Sequence, residues 1–143
     1  VALKFCRIDL SKTNYIQLDN WYYISTPNID QLNNIYKQYC VYKNFNSVMP
    51  LFDIHYKNTN VEIIGYKHNN ELVAFSLINL FDQENCECPQ FAWNYKNPEL
   101  KLGIESLKNE CAIYKERGFK YYYLGLADKY KEQIDGYEVL GKL

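Results

Sequence analysis

Between residues 61 and 126 the chain carries an apolar pattern that few folds can satisfy. Three β-prone runs, 61–66, 72–80 and 88–95, precede a helical stretch at 102–117 and a fourth run at 121–126. His68-Asn69-Asn70-Glu71 reads as a tight turn between the first two runs, because Asn tolerates the left-handed backbone that hairpins demand. Run 72–80 is almost wholly apolar, as in a strand covered on both faces. In run 88–95, Phe91, Trp93 and Tyr95 share one face, and Pro89 places its start at an edge or a bulge. Ile104, Leu107, Cys111 and Tyr114 then recur at helical spacing, the stripe of a helix lying on a sheet. Gly118 ends that helix after Lys115 and Arg117. A strand, a helix of this length and another strand form a crossover, so runs 88–95 and 121–126 are predicted to lie parallel.

The flanks complete one domain over residues 1–143. Residues 1–10 alternate apolar and polar residues, Leu3, Phe5 and Ile8 among Lys4, Arg7 and Asp9, as a first strand, and 21–25 form a second aromatic strand. Thr26 is expected to cap a helix with Pro27 in its first turn and Leu32, Ile35, Tyr36 and Tyr39 along it, ending near Cys40. A short helix is predicted at 47–56 with Pro50 in its first turn, one or two helical turns at 128–133, and a last strand at 137–140.

A formal net charge of −1 argues against indiscriminate polyanion binding over the whole surface and leaves room for a local basic patch. No apolar run approaches the ~20 residues that span a bilayer, so no membrane partner is expected. The first ten residues, with Lys4, Arg7 and Asp9, do not read as a secretory signal. Cys6, Cys40, Cys86, Cys88 and Cys111 are odd in number and scattered, which fits reduced thiols in a cytoplasmic setting. Cys86 and Cys88 alone fall short of the four ligands of a zinc site, and no metal is expected. The 15 tyrosines accompany abundant Asn, Lys and Ile, a bias of coding composition rather than a tyrosine-specific function.

Chemistry is concentrated at the start of the helix at 102–117. Its first N–H groups are unpaired and carry partial positive charge, Gly103 permits close backbone approach beside Leu102, and Lys101 adds a cation. A phosphate is the group such a turn attracts.

The order of elements, antiparallel hairpins followed by strand, loop, helix and strand, resembles the GNAT acyltransferases. Asn97-Pro98, Lys101-Leu102-Gly103 and the segment 115–125 are similar to the C-terminal domain of bacterial arginyl- or leucyl-tRNA–protein transferases, over roughly residues 72–125. The resemblance implies an α/β (α+β) fold with a mixed, mostly antiparallel sheet, one splayed parallel strand pair and flanking helices. It implies an acyl group moved from acetyl-coenzyme A, or another acyl-coenzyme A, to a primary amine on a small molecule or peptide. The alternatives are an aminoacyl-tRNA donor acting on protein N-termini, and a binding module without catalysis. On this reading Ala92, Trp93 and Asn94 offer backbone donors to the acyl oxygen. Tyr130 stands where a Tyr acid is kept, Glu87 is a possible base, and Lys101, Leu102 and Gly103 receive the pyrophosphate. The chain departs from the coenzyme-A loop pattern at Leu100, in place of Gln or Arg, and at Glu105, in place of the second glycine. His55 is read as an ordinary hydrogen-bonded residue. Phe91, Trp93, Tyr95, Tyr121 and Tyr123 read as core sooner than as a base-stacking platform, while Lys96, Lys101, Lys108, Lys115 and Lys120 leave tRNA contact open.

Overall fold

A computed structural model describes residues 4–44 and 58–142. His55 and the short helix predicted at 47–56 lie outside the described residues, as do residues 1–3 of the first predicted strand.

Seven strands form one sheet: β1 (Lys4–Asp9), β2 (Trp21–Tyr23), β3 (Val61–His68), β4 (Glu71–Leu80), β5 (Asn85–Trp93), β6 (Tyr121–Leu126) and β7 (Tyr137–Lys142). Their spatial order is β2-β3-β4-β5-β6-β1-β7, and every neighbouring pair is antiparallel except β5 and β6. Helix α1 (Ile29–Lys43) lies on one face, over Ile63, Leu72, Phe75, Leu77 and Ala92. Helix α2 (Leu102–Glu116) lies on the other, over Ile64, Tyr66, Val73, Ile78 and Tyr122. β4 thus contributes to both apolar layers, as its unbroken run requires.

Local chemistry explains the boundaries. Asn69 and Asn70 both take positive φ, 51° and 63°, so β3 and β4 join through a two-residue turn of the kind that matches strand twist. α1 starts later than predicted. Asn28, extended at φ −86° and ψ 102°, caps it by accepting from the Gln31 N–H at 3.1 Å. Its end lies at Asn44, left-handed at φ 57°, past the predicted Cys40. β2 is shorter than predicted, and β7 runs two residues longer.

α2 begins at the predicted residue and is buried more completely than its stripe implied. Ser106, Asn109, Glu110, Ala112 and Ile113 are buried beside Leu107, Cys111 and Tyr114. The segment after β1 covers the outer side: the Leu18 N–H donates to Asn109 Oδ1 at 2.7 Å, and Lys115 donates to the Thr13 carbonyl.

β5 is the strand that shapes the site. It starts at Asn85, and Asn85, Cys86 and Glu87 pair in parallel with Tyr121, Tyr122 and Tyr123. On the β4 side the register slips between Leu77 and Asn79, which face Gln90 and Glu87: three steps on β5 oppose two on β4. This is a bulge at Cys88-Pro89, where Pro89 has no N–H to offer a ladder. Beyond it β5 stays with β4 and parts from β6.

Candidate active site

The parting of β5 and β6 opens a cleft of about 260 Å³. Cys88, Pro89, Gln90 and Phe91 line one wall, Leu124 the other, Gly103, Ser106, Leu107 and Glu110 of α2 the floor, and Tyr39, Asp128, Tyr130 and Lys131 the rim. A second, wider hollow of about 520 Å³ adjoins it at the N-terminus of α2, sharing Tyr39, Phe91, Gly103, Asp128 and Tyr130 and adding Lys43, Trp93, Tyr95 and Lys129. The two form a mouth and a deep end.

The mouth suits an anion. Lys101 caps α2 with left-handed backbone at φ 49°, and its carbonyl accepts from the Ile104 and Glu105 N–H groups. The N–H groups of Leu102 and Gly103 precede the first intrahelical bonds and have no acceptor in the helix. A Cβ built on Gly103 meets nothing within 4 Å, so the backbone there is open to a bulky ligand group. The two departures from the loop pattern are accommodated: Leu100 packs against the core, and Glu105 pairs with Lys108 at 3.9 Å and lines neither hollow. These residues fit a pyrophosphate.

The predicted acyl-oxygen donors are divided by strand geometry. The Asn94 N–H already donates to the Val73 carbonyl at 3.0 Å, and Ala92, two residues away on an extended strand, turns its N–H to the same β4 edge. Ala92 and Asn94 are therefore corrected out of this role. Phe91 and Trp93 alternate with them and direct their N–H groups to the open edge, Phe91 in the deep cleft and Trp93 at the mouth.

Glu87 is corrected too. It sits where β5 and β6 still pair, accepts from Asn79 Nδ2 at 2.9 Å and does not line the cleft. Tyr130 does line it, from the 3-10 turn Lys129–Gln133, and burial first, then the Tyr39 phenol, holds its hydroxyl above the usual tyrosine range. The aromatic residues do not make one platform. Phe91, Trp93 and Tyr95 pack toward α2, whereas Tyr121 and Tyr123 alternate with buried Tyr122 and meet Arg7, whose guanidinium lies 3.7 Å from the Tyr121 ring centroid. Lys96 and Lys120 form ion pairs with Glu71 and Glu84, at 3.2 and 3.1 Å.

Two charged residues of the cleft carried no sequence signal. Lys131 donates to the Leu124 and Leu126 carbonyls at 2.9 and 2.8 Å and pairs with Asp128 at 3.0 Å, which uses its three N–H donors. Glu110 is 1% exposed, and its carboxylate accepts from Tyr66 Oη at 2.6 Å, Ser76 Oγ at 2.7 Å and Tyr122 Oη at 2.5 Å. Desolvation raises the Glu110 carboxyl above its ordinary value, and the three hydroxyls oppose that rise. A Glu on a helix flanked by Asn and Cys looks like solvated polarity in the sequence. Only its contacts, from β3, β4 and β6, mark it out.

No protein-family model matches the sequence, and no curated protein does. Solved structures do match. A structure from Novosphingobium aromaticivorans, assigned as an acetyltransferase of the GNAT family, superimposes with a TM-score of 0.67 at 11% identity, over 99% of this chain and 61% of that one. The C-terminal domain of a protein assigned as a lysylphosphatidylglycerol synthetase from Agrobacterium fabrum gives 0.66 at 12% identity, over 87% of this chain and 47% of that one. A GNAT acetyltransferase from Elizabethkingia anophelis, solved with acetyl-CoA bound, gives 0.50 at 20% identity over 81% and 71% of the two chains. The chain therefore has the GNAT fold, and it spans less than two thirds of the first two of these structures.

Proposed function

We propose that this chain is a GNAT-type acyltransferase that moves an acyl group from an acyl-coenzyme A, acetyl-coenzyme A in the simplest case, to a primary amine of a small molecule or peptide. The observation that carries the reading is the cleft left where β5 parts from β6, opening onto Gly103 in the first turn of α2. Bound there, acyl-coenzyme A would supply an activated thioester. Leu102, Gly103 and Lys101 hold the phosphates, and the Trp93 N–H holds the arm along β5. The Phe91 N–H is placed to stabilise the oxyanion that develops as the amine attacks the carbonyl. Tyr130, protonated throughout the neutral range, donates its proton to the sulfur as the C–S bond breaks, and the proton that the nitrogen sheds as the amide forms restores the phenol through solvent.

A thermal-shift titration tests the donor. Acetyl-coenzyme A at about 100 times its Kd stabilises a one-site protein by about 2.7 kcal/mol, a readily measured rise in Tm. No shift at millimolar ligand removes this donor, and salt-sensitive binding of charged tRNA would then assign an aminoacyl-tRNA instead. Binding of neither would leave a GNAT-fold module without acyl chemistry. Tyr130→Phe tests the acid: kcat is expected to fall at least tenfold with KM nearly unchanged, and equal loss in both would remove Tyr130 from the chemistry.

A further inference from the structure

The two ends of the cleft differ in charge. Lys43 and Lys129 stand at the mouth with the N-terminus of α2, while the deep end holds Glu110, and Asp128, which borders both, is paired with Lys131. Gly103, Ser106, Leu107 and Glu110 fall on one face of α2, so the floor runs inward for about 10 Å from the helix start to the carboxylate. Among the described residues, that carboxylate accepts from neutral hydroxyls: Tyr66 and Ser76 on Oε2, Tyr122 on Oε1. Oε1 has capacity for one more donor. The groups packed around it are Tyr66 from β3, Ser76 from β4, Cys86 and Cys88 from β5, Tyr122 from β6, and Cys111 on its own helix. None of these is a cation. Lys131, the cation that shares the cleft, is engaged by two carbonyls and Asp128. A buried carboxylate without a positive partner is costly, and a cation that reaches it recovers much of that cost.

We infer that the deep end of the cleft binds a protonated primary amine, with Glu110 as its counter-ion. This deepens the proposed acyl transfer and rests on it for the source of the amine, which belongs either to the acyl part of the donor or to the acceptor. In both cases the ammonium enters past Ser106 and Leu107 and completes the acceptor capacity of Glu110 Oε1. Its charge favours the ionised carboxylate, against the desolvation that acts on Glu110.

The experiment uses two inert thioethers of similar size, S-(2-aminoethyl)-coenzyme A and S-propyl-coenzyme A, measured by calorimetry. If the donor carries the amine, the wild-type chain binds the aminoethyl compound about 10- to 100-fold more tightly, the range of a charge-assisted hydrogen bond. Glu110→Gln removes that preference and leaves the propyl compound's Kd unchanged. If the acceptor carries it, the two thioethers bind alike, and n-butylamine binds to the coenzyme A-loaded chain in a Glu110-dependent manner. Should neither thioether bind, the acyl-coenzyme A reading falls, and n-butylamine binding to the free chain, detected by NMR shifts of the Glu110 and Tyr122 signals, still tests the amine site. If Glu110→Gln does not fold, pH replaces it as the probe: in the wild type, amine binding must weaken as pH falls through the titration of Glu110. Amine binding that is absent, or indifferent to both Glu110→Gln and pH, overturns the inference.

Discussion

Glu110 concentrates the energetic problem of this fold in one side chain. Its carboxyl is buried, and desolvation raises it in the folded chain above its ordinary value of 4.5. The native state therefore binds this proton more tightly than the unfolded chain does. The stability owed to the group is complete below the ordinary carboxylate range and is lost as pH rises through the raised value. Glu110→Gln cannot titrate. Urea midpoints measured from pH 4 to pH 8 are expected to shift against the wild type, relative to the variant, as pH increases. A constant difference across that range would mean that burial does not move Glu110. The same layer explains the cysteines: desolvation pushes the Cys86, Cys88 and Cys111 thiols well above the usual range, which keeps them protonated and poor nucleophiles.

At the scale of elements, α2 does two things that separate cleanly. Its middle turns are core, from Ser106 to Tyr114, while its first turn is left open for a ligand. Gly103→Glu divides the two. A carboxylate in the first helical turn is favourable to the helix dipole by about 0.3–1 kcal/mol, and nothing within 4 Å of the new Cβ resists it. The Tm is expected to hold or rise, while affinity for coenzyme A falls at least tenfold through repulsion of the phosphates. Loss of both together would place Gly103 in the fold and not in the site. β5 shows the complementary case, since Pro89 was legible as an edge or bulge and the bulge is what ends the pairing with β6. The sequence pattern did not reveal that β5 begins at Asn85, because Asn85-Cys86-Glu87 has neither strong β propensity nor alternation; its pairing with Tyr121, Tyr122 and Tyr123 supplies what propensity lacks.

For the whole molecule, the position of β1 matters most. It lies between β6 and β7, pairing antiparallel with both, so residues more than a hundred positions apart close the sheet beside the cleft wall. Gly136 makes that closure possible. Its φ is +79°, the Asp9 N–H donates to its carbonyl at 2.8 Å, and a Cβ there would stand 2.3 Å from the Asp9 carbonyl oxygen. Gly136→Ala is expected to cost about 1–3 kcal/mol through the left-handed backbone alone, and more through displacement of β1. Gly141→Ala, where a Cβ meets nothing within 4 Å, is the control and should change the denaturant midpoint little. The sequence by itself determined the elements whose signals are local: the hairpin at Asn69-Asn70, the apolar run of β4, the helix from Leu102, and with them the parallel pair that defines the fold. Tertiary structure alone decided which groups meet in the cleft. Glu87 was moved out by its pairing at the closed end of the strands, Ala92 and Asn94 by the alternation of N–H groups along β5, and Glu110 was brought in by hydroxyls from three different strands. Helix and strand periods are properties of neighbours in the chain, whereas the charge and hydrogen bonding of a buried site come from residues that only folding makes neighbours.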